Sequence, residues 1–175
     1  MPPAGKTAVT TLYVGTDHCT AIYLNLLLMV VHEDPHADLP EHQQRWLSRL
    51  QREVSGDLGF MVVLRPDNPP PKEAARATIR RALQHFGGVM SFGAIVVEKT
   101  GFTAAAQRSA LSVMILAARP RYTLKVFSSV REATSFIIDR SKNSTPLVEH
   151  ELLAAIEELK TAYDAGTLKV SQPGG

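Results

Sequence analysis

The sequence predicts an α/β fold, a two-layer sandwich in which crossover helices cover a mixed β-sheet. Three observations carry that prediction. Short apolar runs without alternation, FMVVL at 60–64 and AIVV at 94–97, read as strands buried on both faces. Runs of helical period separate them, and Gly, Pro and Ser stand at the joins. The segment 91–139 holds two consecutive strand-to-helix units of this kind and is the most legible part of the chain.

Taken in order, two antiparallel strands are expected at 9–15 and 19–31, joined by a tight turn over Gly15, Thr16, Asp17 and His18. The second run, CTAIYLNLLLMVV, is long for a strand and is expected to bend or to run past its partner. A polar loop, HEDPHAD, follows at 32–38. Asp38 suits an N-cap, with Pro40 and Glu41 in the first turn of a helix. Trp46, Leu47, Leu50 and Val54 form that helix's inner face, and Gly56 stops it. After the strand at 60–64 comes a stiff loop, RPDNPPP at 65–71, whose Pro71 fits a helical first turn. The helix over 72–86 turns Ala75, Ile79, Ala82, Leu83 and Phe86 inward and ends at Gly87 and Gly88.

Strand 94–97, helix 103–118, strand 124–127 and helix 130–139 complete the expected core. Residues 141–146, SKNSTP, read as a linker. The chain thus divides into an α/β domain over 1–140, the linker, and a C-terminal helix with its tail over 147–175. That helix, 147–163, carries Leu152, Leu153, Ile156, Leu159 and Tyr163 on one stripe. The stripe must be buried on its own sheet, on a symmetry mate or on a partner helix. The tail SQPGG is expected to fray.

The element order β-β-α-β-α-β-α-β-α combines an opening hairpin with right-handed parallel crossovers. This order, with the segments GAIVVEKTGFTAAAQRSAL and LKVFSSVREATSFI, resembles the STAS domain (sulfate transporter and anti-sigma-factor antagonist). Residues 60–138 carry the match. The resemblance implies a STAS-like sandwich that acts through a partner protein. In that family the loop after the third strand carries Asp-Ser-Ser/Thr-Gly, whose hydroxyl a partner kinase phosphorylates at a helix N-terminus. Here the corresponding loop is RPDNPPP. Asp67 stands at the place of the family Asp, but no Ser or Thr follows it, and the prolines remove backbone donors that would cradle a phosphate. The phospho-switch is not carried over.

Ligands of parallel sheets sit at the carboxyl ends of the strands. Those ends hold Arg65, Asp67 and Asn68, then Glu98, Lys99, Thr100 and Gly101, then Ser128 and Ser129. Arg65 and Lys99 supply charge, and Thr100 and Ser129 hydroxyls, for an anion or a partner loop. Arg65, Asp67, Asn68, Glu98, Lys99, Thr100 and Ser129 are therefore the partner-binding candidates. The competing reading makes Thr100 and Ser129 helix caps and Glu98 with Lys99 a solvated turn. His32, Glu33, Asp34, His36, Asp38, Glu41 and His42 are all metal-capable, yet they straddle a loop and a helix start without a zinc motif. A solvated loop is expected there. Arg45, Arg49 and Arg52 line one helix face, with Glu41 and Glu53 placed to pair with them.

A net charge of +2 without a concentrated basic block argues against nucleic acid as a partner. Lone Cys19 permits neither an internal disulfide nor a multi-thiolate site and suits a reducing compartment. No G-x-S-x-G, P-loop or G-x-G-x-x-G is present, so no catalytic residue, cofactor or metal is expected. The N-terminus lacks a signal-like apolar region, and the run at 21–31 is too short to span a bilayer. The reading is a non-enzymatic, cytoplasmic regulatory or scaffold domain acting through protein–protein interaction. The alternatives are a small-molecule or lipid binder with an apolar pocket beneath its helices, and a structural homodimer built through the C-terminal helix.

Overall fold

The computed structural model describes residues 8–171. Its elements run β1 (Thr10–Val14), β2 (His18–Tyr23), β3 (Leu26–Val31), α1 (Leu39–Glu53), β4 (Gly59–Leu64), α2 (Glu73–Phe86), β5 (Phe92–Val97), α3 (Gly101–Ala118), β6 (Thr123–Phe127), α4 (Val130–Ser141) and α5 (Glu149–Asp164). The strands form one mixed sheet in the order β1-β2-β3-β4-β5-β6. β1, β2 and β3 are antiparallel neighbours, and β3 to β6 are parallel. The closing QPGG, part of the tail expected to fray, lies outside the described residues.

The run expected as a single long strand is two, β2 and β3, so the fold opens on a three-stranded meander. The chain reverses at Leu24 and Asn25, with Leu24 at φ 51°. Asn25 holds this turn from within: it is fully buried, and its Nδ2 donates to the Asp57 carbonyl at 2.8 Å and to Ser141 Oγ at 2.9 Å. Its own carbonyl accepts the Gly59 N–H at 3.1 Å. Both flanking strands are buried on both faces, so Asn25 is the one polar mark of the turn in the sequence.

Alternate strand residues face opposite helical layers. Ile22, Leu27, Met29 and Phe60 pack with Leu47 and Leu50 of α1 and with Leu83 and Phe86 of α2. Leu111 of α3 continues this layer over Ile95 and Val97. The sheet and α1 to α3 thus form two packed layers. On the other face, Leu28, Val30, Met61 and Ala94 pack against Ala133 and Ile137 of α4 and Leu152, Ile156 and Leu159 of α5. The C-terminal helix therefore buries its stripe on its own sheet, and α4 and α5 cover that face together.

Strands β4 and β5 begin earlier than the apolar runs indicate, because each opens with a glycine–phenylalanine pair. Gly59 lies opposite Phe92 and Phe60 opposite Gly93. Each ring covers the bare backbone of the facing glycine, once on each face of the sheet. On the outer edge of β1, Thr11 pairs with Ser171: Ser171 N–H donates to the Thr11 carbonyl at 2.8 Å, and Thr11 N–H to Ser171 Oγ at 2.9 Å. β6 forms the opposite edge. Among the described residues, no helix is long and apolar enough to cross a membrane.

Candidate functional site

The carboxyl ends of β3, β4 and β5 meet at one edge of the sheet, where most of the candidate residues gather. Arg65, just past β4, donates from Nη1 to Glu98 Oε2 at 2.5 Å and from Nη2 to Asp164 Oδ2 at 2.6 Å. Lys160 Nζ donates to Glu98 Oε1 at 2.5 Å and to Glu157 Oε1 at 2.8 Å, and His32 Nε2 lies 2.9 Å from Asp164 Oδ1. Burial alone would lower the Arg65 pKa, but the Glu98 and Asp164 carboxylates outweigh it and raise the value. Lys160 is raised in the same way by Glu157 and Glu98. Arg65 and Glu98 therefore fasten α5 to the sheet, and Glu98 belongs to a half-buried network rather than to a solvated turn.

The other candidates separate. Asp67 is exposed and makes no side-chain hydrogen bond or ion pair among the described residues. Asn68 is buried, and its carbonyl accepts from Lys99 Nζ at 3.4 Å. Thr100 stands at the N-cap of α3 without a side-chain cap bond. Ser129 caps α4, its Oγ accepting the Glu132 N–H at 3.3 Å. The metal-capable loop residues are dispersed. His32 turns to Asp164, His42 Nε2 lies 3.1 Å from Asp38 Oδ2, and His36 offers its backbone N–H to Asp17. Among the described residues no group of three or more His, Cys, Asp or Glu side chains is placed to hold a metal ion. Cys19 is fully buried, and burial pushes its thiol up to about 12.

Beside the ion-pair network, between α1, α2 and the sheet, lies a cavity of about 90 Å³. Met29, Val62, Leu64, Ile79, Leu83 and Phe86 supply apolar wall. His18, Gln43 and Asn68 supply its polar lining, and Glu33, Asp34 and Pro35 stand toward solvent. His18 is held tightly. Its Nδ1 lies 2.7 Å from Asp17 Oδ2, Tyr13 stacks on its ring at 4.6 Å, and Trp46 meets it edge-on at 6.0 Å. His18 Nε2 and Gln43 Oε1, both buried, have no hydrogen-bond partner. This half of the edge was hidden in the sequence. Asp17 and His18 look like turn residues there, and the single available signal is Gln43, a polar residue on the inner stripe of α1 with Leu39, Leu47 and Leu50.

Asp17 is fully buried and remains a carboxylate. Burial alone would raise its pKa, but His18 and the His36 amide hold it down at about 2. A folded value below the unfolded one, roughly 3.9, adds stability that is complete above that value and is lost as pH falls toward 2. Asp17→Asn should therefore lower the melting temperature at pH 7 and flatten its decline between about pH 4 and 2. Melting curves by circular dichroism across that range check this; an unchanged acid limb would remove the Asp17–His18 pair as its cause.

No family model matches the chain, and neither a curated protein nor a solved structure matches it.

Proposed function

We propose that this protein binds a small, largely apolar molecule in the cavity beneath α1 and α2. One observation carries the reading: an apolar chamber at the carboxyl edge of a parallel sheet is lined by residues whose buried polar atoms, His18 Nε2 and Gln43 Oε1, lack partners. A buried polar atom left unpaired costs about 1–3 kcal/mol, and a bound molecule with a matching group removes that cost. Arg65 and Glu98, engaged with α5, are not available for an incoming partner in the same way. A panel of single-ring compounds tested by thermal shift should contain binders. At a hundred times its Kd, such a ligand stabilises by about 2.7 kcal/mol, which raises Tm by about 5–10 °C in a chain of this size. Ala82→Phe, which fills the chamber, should fold and lose the shift. If no compound stabilises the wild type more than the filled variant, the reading fails.

A second reading keeps the STAS-like relationship, proposed from element order, and has the domain act by association with another chain. α3 favours it. Among the described residues, Phe102, Val113 and Leu116 are strongly exposed, and all three belong to this helix, whose one charged residue is Arg108. With Ala106 and Ser109 they form an outward stripe opposite the buried Ala104, Gln107 and Leu111. Phe102 and Leu116 are equally spaced about Ser109, so the stripe is complementary to an antiparallel copy of itself. The expected result is a dimer in sedimentation velocity that dissociates in the double variant Val113→Glu, Leu116→Glu. A wild-type monomer at all loading concentrations would rule that dimer out.

A further inference from the structure

The near-neutral total charge conceals an uneven distribution. Residues 72–125 hold nine Lys or Arg against two Asp or Glu, whereas the rest of the chain holds ten against fifteen. This stretch contains α2, β5, α3 and the start of β6, and one of its two carboxylates, Glu98, is already engaged by Arg65 and Lys160. Arg76, Arg80, Arg81, Arg119 and Arg121 are exposed, and among the described residues none of the five forms an ion pair.

Two hollows place four of these cations beside the outward stripe of α3. Arg76 and Arg80 of α2 line a surface groove with Val113, Met114 and Ala117 of α3, and Arg119 and Arg121 line a second hollow where the two helices end. α3 has no Asp or Glu, and it is apolar on its solvent side as well as on its buried one. A helix of that composition belongs in an apolar setting on both sides. Phe102, at 90 % exposure, and Leu116, at 74 %, project from the surface instead of lining a cleft.

Going beyond both the pocket and the dimer, we propose that the α2–α3 face docks on an anionic lipid membrane, with α3 lying in the plane of its surface. Projecting apolar side chains beside unpaired arginines match such a surface in both respects. Phe102, Val113 and Leu116 enter the boundary between headgroups and acyl chains, while the guanidiniums meet lipid phosphates. Duplex nucleic acid would satisfy the arginines and leave Val113 and Leu116 against phosphate and water. A second copy of α3 would cover the stripe but bring no carboxylate of its own to the arginines.

Cosedimentation of the full chain with vesicles of phosphatidylcholine, alone or mixed with phosphatidylglycerol, tests this. The mixed vesicles should bind at least about tenfold more tightly, and added salt should weaken that binding. Arg76→Glu with Arg80→Glu should cost about tenfold or more. Arg131→Glu with Lys142→Glu makes the same change of net charge on exposed positions of α4, in the opposite layer, and should stay within about twofold of wild type. Phe102→Ser with Leu116→Ser should weaken binding severalfold at unchanged charge, with folding of each variant checked by circular dichroism. Equal losses in the two charge-reversed variants would overturn the proposal in favour of attraction by net charge alone. Serine variants that bind like wild type would overturn the placement of α3 in the interface. Tighter binding of duplex DNA than of the mixed vesicles would overturn it in favour of nucleic acid. A wild type that binds neither kind of vesicle overturns it outright, and a dimer in that case assigns the stripe to a second copy. The wild-type comparison and the serine variants decide even if a charge-reversed chain fails to fold.

Discussion

Gly93→Val should abolish folding. Gly93 lies in β5 directly opposite Phe60 of β4, and a Cβ there would run into the Phe60 ring well inside van der Waals contact. The ring has nowhere to move. It is fully buried, stacked on Phe86 at 4.4 Å and met edge-on by Tyr122 at 5.7 Å. Overpacking by one or two methyl groups already costs about 1–3 kcal/mol. A branched side chain adds more atoms at the joint between two central parallel strands. Against a typical total stability of about 5–15 kcal/mol, that loss removes most or all of the folded population. Gly93→Ala grades the effect: it should fold, with urea denaturation showing a loss of about 1–3 kcal/mol. Gly88→Ala is the control, since its added Cβ meets nothing within 4 Å, and it should stay within about 0.5 kcal/mol of wild type. A Gly93→Val chain with native circular dichroism and an unchanged urea midpoint would show that Phe60 does not occupy the space assigned to it.

Arg65→Ala should loosen the C-terminal helix without unfolding the sheet. The guanidinium bridges Glu98, at the end of β5, to Asp164, in the last turn of α5, and it is only 18 % exposed. Removing it leaves two carboxylates facing one another. Lys160 still holds Glu98 and His32 still meets Asp164, so the disruption is partial. A loss of about 2 kcal/mol is expected, between the cost of breaking a surface pair and that of breaking a buried one. Hydrogen exchange should locate it: amides of α5 lose protection while those of β4 and β5 keep theirs. Arg65→Lys should restore little, because a single ammonium cannot fork between two carboxylates on different elements. Unchanged protection across α5 would mean that apolar packing of Leu152, Ile156 and Leu159 is sufficient to dock the helix.

The two results bear on different parts of what could be read beforehand. The segment 91–139 was legible because β5, α3, β6 and α4 follow one another with local signals: apolar strands, helical periods and a serine cap at Ser129. The division of 19–31 into β2 and β3 was not, since Leu24 is no turn residue and Asn25 finds Asp57 and Ser141 only in the folded chain. The candidate loops stand at the carboxyl edge, as parallel strands require. Their employment differs from expectation because Arg65 meets Asp164 across 99 positions of sequence.

Local signals along the chain set the α/β class, the alternation of strands with helices and the ends of the strands where polar residues collect. Those features follow from periodicity and turn chemistry, which act over a few residues. Tertiary structure alone decided which charged groups are consumed in fastening α5 and which polar atoms remain unpaired. It also decided that His18, the first residue of β2, and Gln43 of α1 come to the wall of one apolar chamber. The physical reason is that burial and pairing are properties of neighbours in space: a carboxylate, an imidazole or an amide has no fixed role until the chain brings the atoms that satisfy it or leave it open.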